Sequence, residues 1–200
     1  DSLNAVRAMN DDQGVHTYPG SPLLARMLMR SCDTLIANEL HPEDCRILRS
    51  VLKGSPNTKV QEGDAFAALK SLLPPPEKRG LVLIDPPFEA TGEFARVAGG
   101  AGEAVKRFAT GTYVIWYPFK EPEAVTLFLR QIRGLGLRKV LNARLATAAP
   151  GRLPGLTDSG LLIINPPYVL AGQLAILGPV LAKVLRAAPG ARFTLDDWSY

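Results

Sequence analysis

Short aliphatic segments alternate along the chain with longer segments whose apolar residues have helical spacing. The aliphatic segments have the length of buried strands, and the alternation predicts a succession of strands and helices. The predicted strands cover residues 34–38, 58–61, 81–84, 112–117, 137–147 and 161–164. The predicted helices cover 22–30, 41–53, 65–73, 93–108, 121–133 and 170–187, and a short terminal segment begins at Phe193. At the first of these helices, Ser21 is expected to provide the N-cap oxygen and Pro22 the first-turn proline.

Uniformly apolar strands that alternate with helices indicate a mostly parallel sheet with helices on both faces. The strands 137–147 and 161–164 follow each other without a helix, so we expect them to form an antiparallel hairpin at one edge of the sheet. The whole chain, 1–200, is predicted to form a single α/β domain. In such sheets, ligands bind beyond the carboxyl ends of the strands. The residues at those positions are Glu39, Gly63, Asp64, Asp85 to Phe88, Tyr117, Pro118 and Asn165 to Tyr168.

The composition is that of a globular protein with a mildly basic surface. The 200 residues include 23 Lys and Arg against 19 Asp and Glu, which gives a formal net charge of +4. This balance permits a nucleic-acid partner without requiring one. Cys32 and Cys45 form no CxxC pair and the chain has only two histidines, so no metal site is expected. The uncharged stretch 160–182 is interrupted by prolines and glycines, and we expect a cytoplasmic protein without a membrane span.

The strand 81–84 ends directly in Asp85-Pro86-Pro87-Phe88, whose groups suit the methylation of an amine. An exocyclic base nitrogen is a poor nucleophile because its lone pair is delocalised into the ring. A carboxylate and a backbone carbonyl that accept its two hydrogens favour pyramidal geometry and direct the lone pair toward a methyl donor. Asp85 can supply the carboxylate and Pro86 the carbonyl, and neither proline leaves an unpaired N–H. Phe88 can stack on a base swung out of its helix, which is worth about 1–3 kcal/mol. The structural alternative is a strand ended by prolines, with Phe88 in the core.

The sequence resembles the RlmJ-type enzymes, class I S-adenosylmethionine-dependent methyltransferases that methylate N6 of an adenine in bacterial 23S ribosomal RNA. The resemblance rests on the Asp-Pro-Pro-Phe sequence and on the order of the segments 18–30, 38–48, 63–75, 79–89, 106–118 and 160–168. It implies a Rossmann-like sheet and S-adenosyl-L-methionine as the cofactor. It also implies that the partner is 23S rRNA, either protein-free or in an early assembly intermediate, and that the enzyme is a monomer.

The resemblance further implies roles for residues at matching positions. The catalytic residues would be Asp85, Pro86, Pro87 and Phe88, and the cofactor-binding residues would be Ser21, Glu39, Asp64, Ala65 and Asp85. A carboxylate at the position of Glu39 can accept both ribose hydroxyls, as in dinucleotide-binding folds. Asp64 can accept from the adenine amino group of the cofactor, cap the following helix, or do both. Phe88 stands where the family usually has a tyrosine, which retains stacking but removes a hydroxyl.

The family's Gly-rich loop, which follows its first strand and holds the methionine part of the cofactor, has no counterpart here. The His-containing segment before that loop is also missing. We therefore expect an N-terminally truncated chain that lacks the first strand and cannot assemble the whole cofactor site, with 1–20 as the end of a helical insertion and a linker. The glycine-rich segment 98–102 does not replace the loop, because it follows a helical pattern rather than a strand.

Asn165-Pro166-Pro167-Tyr168 has the same pattern as the Asp85 sequence, but it follows a late strand that we expect at the periphery of the sheet. We interpret it as a structural turn or an RNA-facing surface. The basic pairs 78–79, 106–107 and 138–139, together with Arg152, are candidate phosphate contacts, and Tyr117 is a candidate for stacking near the target base. Two other functions stay open: N6 methylation of adenine in DNA, and a non-catalytic nucleic-acid-binding protein linked to the use of external DNA.

Overall fold

The structure is a computed structural model that describes residues 2–10 and 14–199. Its helices are α1 (Ser2–Ala8), α2 (Ser21–Leu28), α3 (Pro42–Val51), α4 (Ala65–Leu72), α5 (Glu93–Arg107), α6 (Pro122–Gly134) and α7 (Leu170–Val184). Its strands are β1 (Leu35–Glu39), β2 (Thr58–Glu62), β3 (Leu81–Ile84), β4 (Thr112–Pro118), β5 (Val140–Ala146), β6 (Asp158–Ile164) and β7 (Arg192–Asp197). The predicted α/β succession is therefore confirmed.

The N-terminal segment contains one more helix than the hydrophobic pattern predicted. Helix α1 lies within the segment 1–20, of which residues 1 and 11–13 lie outside the described residues. The interpretation of this segment as the end of an insertion and a linker stays a prediction.

The chain divides into two compact units, Asp1–Ser71 and Leu72–Tyr200. The first unit contains a parallel pair of strands, β1 and β2, whose register runs from Leu35 opposite Thr58 to Glu39 opposite Glu62. In this unit Arg26 is buried, and its guanidinium donates hydrogen bonds to the backbone carbonyls of Asp33, Pro56, Met29 and Arg30. These bonds stabilise the end of α2 and the loop before β1, because each carbonyl that they satisfy would otherwise need water.

The second unit contains a five-stranded sheet in the order β3-β4-β6-β5-β7. Strands β3 and β4 are parallel, whereas the pairs β4–β6, β5–β6 and β5–β7 are antiparallel. The predicted hairpin of β5 and β6 is confirmed. Its predicted position was wrong, because β6 inserts next to β4 and the terminal segment forms a strand, β7, that pairs with β5. Chain order placed the hairpin at the edge, but hydrogen bonding to β4 and β7 places it inside the sheet.

The strand ends form two opposite edges of this sheet, the carboxyl edge and the amino edge. At the carboxyl edge, β3 and β4 end at Ile84 and Pro118, and β6 and β7 begin. At the amino edge, β3, β4 and β5 begin, and β6 ends at Ile164, which lies opposite both Tyr113 and Val140. A strand rises about 3.3 Å per residue, so the first and last residues are roughly 10 Å apart along β3 and 20 Å apart along β4.

The core of the second unit follows the alternation of side chains along β4. Tyr113, Ile115 and Tyr117 are fully buried, and Val125, Phe128 and Ile132 of α6 are buried as well. We expected both faces of the sheet to be covered, but one face of β3 is open to solvent. Its side chains Leu81 and Leu83 are 66% and 47% exposed. Their apolar character predicted burial, but burial also requires a covering element, which the hydrophobicity of a strand does not supply by itself.

Candidate active site

Asp85 lies at the carboxyl edge, directly after β3, where the chain leaves the sheet. Pro86 and Phe88 are half-buried, and Phe88 adopts a left-handed backbone conformation with φ of 54°. This conformation is uncommon for an aromatic residue and is kept only where the surroundings require it. The loop then reaches α5, where the Glu93 carboxylate accepts a hydrogen bond from the Glu89 N–H at 3.0 Å. The predicted strand-to-loop turn is therefore held in place by the start of the following helix.

Phe88 belongs to a group of aromatic side chains beside the loop. Its ring centroid lies 4.6 Å from that of Phe94 in α5 and 6.0 Å from that of Trp116 in β4, with tilted ring planes. Phe94 in turn contacts Phe128 of α6 at 5.4 Å. Trp116 was not identified from the sequence, although its position two residues before the end of β4 is a signal that could have found it. Both Phe88 and Trp116 are half-buried, so they combine an anchored ring with an accessible surface.

The carboxyl group of Asp85 is partly desolvated by its surroundings. Burial raises the pKa of this group above the ordinary aspartate value. A desolvated carboxylate gains more from an N–H donor than a fully hydrated one does, because it has lost part of its water shell. Asp85 nevertheless remains exposed on its outer side. It is therefore accessible to a ligand at the carboxyl edge.

Tyr117 does not offer its ring to a ligand in this structure. It is fully buried, and its hydroxyl donates a 2.6 Å hydrogen bond to the Asn142 side-chain oxygen. Burial raises the pKa of the Tyr117 hydroxyl to about 12. The prediction that Tyr117 stacks near a target base is wrong, because β4 alternates and its odd-numbered side chains point into the core. Trp116, its neighbour on the opposite face, is half-buried and keeps part of its ring accessible at this end of β4.

In the first unit, Glu39 and Asp64 follow the carboxyl ends of neighbouring parallel strands. The Gly63 N–H donates to the Glu39 carbonyl at 2.9 Å, and the Asn38 side chain donates to the Gly63 carbonyl at 2.8 Å. One oxygen of the Glu39 carboxylate accepts from the His41 N–H at 2.9 Å. Within the described part of the chain, its other oxygen has no partner. The structure thus brings Glu39 and the Gly63–Asp64 turn together, as the sequence predicted.

Asp64 caps the amino end of α4. Its side-chain oxygen accepts from the Ala67 N–H at 2.9 Å, and its carbonyl accepts from the Ala68 N–H at 3.0 Å. The capping role is confirmed. Ala65, the first residue of α4, is exposed. The first N–H groups of a helix have no partner within the helix and suit an electron-rich ligand atom.

Ser21 is exposed at the amino end of α2 but is not its N-cap. Gly20 is the N-cap residue, no side chain caps the helix, and Ser21 is the first helical residue. The capping prediction for Ser21 was wrong because the helix begins one residue earlier than Pro22 suggested, with the proline in the second position. Arg26 fixes the other end of α2, so Ser21 lies at the end of the helix that is distant from the loop before β1.

The sequence Asn165-Pro166-Pro167-Tyr168 lies at the amino edge, because β6 runs antiparallel to β4. The Asn165 side-chain amide donates to the carbonyls of Ala109 and Gly111, both at 2.8 Å. The Asn165 carbonyl accepts from the Thr112 hydroxyl at 3.0 Å. The expectation that β6 is peripheral was wrong, but the interpretation of Asn165 as a structural turn is confirmed. The two similar sequences therefore stand at opposite edges of one sheet.

The candidate phosphate contacts also divide between the edges. Lys78, Arg79, Lys106, Arg107, Arg138 and Lys139 flank the starts of β3, β4 and β5 at the amino edge, and all are exposed. Arg152 instead lies in the loop that joins β5 to β6 at the carboxyl edge. The sequence could not make this distinction, because it depends on strand direction.

Two absences apply to the described residues, 2–10 and 14–199. They contain no group of three or more His, Cys, Asp or Glu side chains arranged to hold a metal ion. Over the same residues, no helix combines the length and apolarity needed to cross a membrane.

A β/α succession with carboxylates at its strand ends, and with Asp-Pro-Pro-Phe after one strand, is the α/β arrangement that the resemblance to methyltransferases implied. Comparison with known proteins gives the family. A family model described as "Ribosomal RNA large subunit methyltransferase D, RlmJ" matches residues 1–199. The chain belongs to this family of large-subunit ribosomal RNA methyltransferases.

Individual relatives agree with this result. The chain is 39% identical over 189 residues to ribosomal RNA large subunit methyltransferase J of Escherichia coli, a match that covers 94% of this chain and 68% of the relative. It is 42% identical to the protein of the same name from Haemophilus influenzae, over 84% of this chain and 60% of the relative. A crystal structure of a Legionella pneumophila protein superimposes with a TM-score of 0.89 at 32% identity and covers 98% of this chain and 72% of that one. The chain thus spans about two thirds of the length of these relatives.

Proposed function

We propose that this chain belongs to an S-adenosylmethionine-dependent methyltransferase. The enzyme methylates N6 of an adenine in 23S rRNA. The observation that carries the proposal is the loop after β3, which contains Asp85, Pro86 and Phe88, and in which the half-buried Phe88 ring lies 6.0 Å from that of Trp116. A hydrogen-bond acceptor pair next to an aromatic surface is the arrangement needed to hold a flipped purine and its amino group.

The chemistry assigned to these residues is positional. The Asp85 carboxylate and the Pro86 carbonyl accept the two hydrogens of the amino group, so its lone pair becomes available for in-line attack. The amino group would lose one proton with or after the transfer, to Asp85 or to water. The raised pKa of Asp85 makes its carboxylate a stronger proton acceptor than an ordinary aspartate. Phe88 supports the base by stacking, which contributes about 1–3 kcal/mol.

Residues of the first unit fit the cofactor chemically. When bound, S-adenosylmethionine would supply an electrophilic methyl group. The unpartnered oxygen of Glu39 can accept from the ribose hydroxyls, and the Asp64 carboxylate can accept from the adenine amino group. The exposed backbone of Ala65 and the Ser21 hydroxyl are assigned to further cofactor contacts. These roles agree with the polar strand ends at which α/β sheets bind ligands.

The test uses the full-length natural protein, methyl-labelled S-adenosylmethionine and either protein-free 23S rRNA or duplex DNA. The expected result is N6-methyladenosine in the RNA, reduced by orders of magnitude at saturating cofactor in Asp85→Ala, whose circular dichroism matches the wild type. Label only in DNA would keep the chemistry and refute the substrate. Near-normal transfer by Asp85→Ala would refute the assignment of the site, and cofactor binding without any transfer would favour a binding protein without catalysis.

A further inference from the structure

The amino edge of the five-stranded sheet has a concentration of positive charge that the reaction does not require. We define the basic rim as Lys78, Arg79, Lys106, Arg107, Arg138 and Lys139. We propose that the basic rim is a second RNA-binding surface, which holds the phosphate backbone of a helical segment of the substrate away from the target adenine. This inference rests on the proposed function, since it takes RNA as the partner.

Backbone contacts unite the loops that carry the rim. The Asn165 N–H donates a hydrogen bond to the Lys139 carbonyl at 2.9 Å. The Asn165 side-chain amide donates hydrogen bonds to the carbonyls of Ala109 and Gly111. The next residue, Thr112, donates its N–H to the Gly80 carbonyl at 3.1 Å. The segments that precede β3, β4 and β5 are therefore fixed relative to one another, with Asn165 at their centre. These contacts give Asn165 a structural role in joining the three segments.

The dimensions of the rim suit a nucleic-acid backbone. In the order β3-β4-β6-β5, strands are about 4.8 Å apart, so the loops before β3 and β5 are separated by roughly 15 Å. A nucleic-acid duplex of DNA type carries one negative charge per about 1.7 Å of its axis, so a 15 Å surface faces several phosphates. The rim also stands roughly 10 to 20 Å from the Asp85 edge, so it would contact a part of the RNA other than the flipped nucleotide.

The charge of the rim is only partly explained by local structure. Lys106 and Arg107 lie in the last turn of α5, where positive charge stabilises the helix dipole, and Lys106 forms a 2.9 Å ion pair with Glu103. The other four residues lie outside the helices. Within the described residues they have no ion-pair partner, although Glu77 is their neighbour in sequence. Four exposed and unpaired cations without a structural role are typical of a phosphate-binding surface.

Tyr168 adds an aromatic surface next to the rim. It follows the Asn165 turn and is 96% exposed, which is unusual for a large aromatic residue in a globular protein. Pro166 and Pro167 fix the backbone that presents it. An exposed ring beside cations can stack on an unpaired base at the end of an RNA helix. We therefore include Tyr168 in the proposed surface.

The test compares two variants with the same change in charge. The rim variant carries Lys78→Gln, Arg79→Gln, Arg138→Gln and Lys139→Gln. The control variant carries Gln at Lys53, Lys59, Lys70 and Lys183, which are exposed residues outside the rim. Binding of a fluorescein-labelled RNA duplex with a single-stranded end is measured by anisotropy at several salt concentrations. Because the proposed contacts are to phosphates, the duplex sequence is arbitrary.

The rim variant is expected to bind at least about tenfold more weakly at 0.1 M salt. The slope of log Kd against log salt should fall by about 3, because each lost phosphate contact removes about 0.7–0.9. The control variant should stay within about threefold of the wild type. Equal losses in both variants, unchanged binding by the rim variant, or no RNA binding by the wild type would overturn the inference. Because this assay records binding alone, its failure is distinct from a failure of methyl transfer with the same protein.

Discussion

The side-chain amide of Asn165 allows a quantitative test of whether this residue, at the amino edge of the sheet, stabilises the fold rather than acting in catalysis. In Asn165→Ala, the Gly111 carbonyl loses a 2.8 Å hydrogen bond worth about 1 kcal/mol. The exposed Ala109 carbonyl loses a second bond but can turn to water, so its contribution is about 0.5 kcal/mol. Asn165 also has φ of 51°, a conformation that costs alanine about 1 kcal/mol. The expected loss in the free energy of unfolding is therefore about 2–3 kcal/mol.

Both tryptophans, Trp116 and Trp198, lie in the second unit, so urea denaturation followed by their fluorescence reports the stability of that unit. The free energy of unfolding typically falls by about 2 kcal/mol for each 1 M of urea, so a loss of this size lowers the urea midpoint by about 1 M. Tyr168→Ala, in the same turn, is the control and should change stability by less than about 0.5 kcal/mol because its side chain is exposed. In the full-length protein, folded Asn165→Ala should retain methyl transfer at saturating RNA, because Asn165 lies at the amino edge and its effect on the rim changes RNA binding alone. Unchanged stability with transfer abolished would refute the structural interpretation of Asn165.

Four further predictions concern the carboxyl edge and the core. Because burial raises the pKa of Asp85 and its carboxylate is the acceptor, transfer should fall as pH decreases through a pKa above the ordinary aspartate value; a pH–rate profile that is flat down to pH 4 would contradict this role. Phe88→Ala should raise the KM for RNA about tenfold or more, whereas Phe88→Tyr should leave it nearly unchanged; equal kinetics in the two variants would exclude stacking. Tyr117→Phe should cost about 1–3 kcal/mol in urea denaturation, because the buried Asn142 oxygen loses its 2.6 Å donor. Gly160→Ala should cost at least as much, because its Cβ would overlap the Tyr117 ring; a stable Gly160→Ala protein would contradict the described packing.

The raised pKa of Asp85 also has a consequence for stability. An aspartate whose folded pKa is raised binds its proton more tightly in the folded state than in the unfolded state. Its contribution to stability is therefore greatest below the unfolded pKa and decreases as pH rises through the folded pKa. Asp85→Asn should remove this pH dependence. Between the ordinary aspartate pKa and neutral pH, the free energy of unfolding should therefore decrease less in the variant than in the wild type.

The hydrophobic pattern determined the secondary structure because strands and helices depend on interactions between near neighbours. Strand β3 has the predicted bounds 81–84, and the helices from α2 to α7 were each found within a few residues of their predicted ends. The polar residues that follow β1, β2 and β3 were identified in the same way. A carboxylate after an aliphatic strand is a local feature, and its position at the end of the strand follows from the sequence itself.

Strand order and direction were decided only by the tertiary structure. The sequence does not contain the hydrogen bonds that place β6 between β4 and β5, so it could not show that Asn165 and Asp85 stand at opposite edges. The alternation along β4 also decides that Trp116 is accessible while Tyr117 is buried. Local sequence determines which segments can form strands, because backbone and side-chain preferences act over a few residues. Which residues meet is determined by pairing between segments that are distant in the chain, and that pairing separates the proposed catalytic edge from the basic rim.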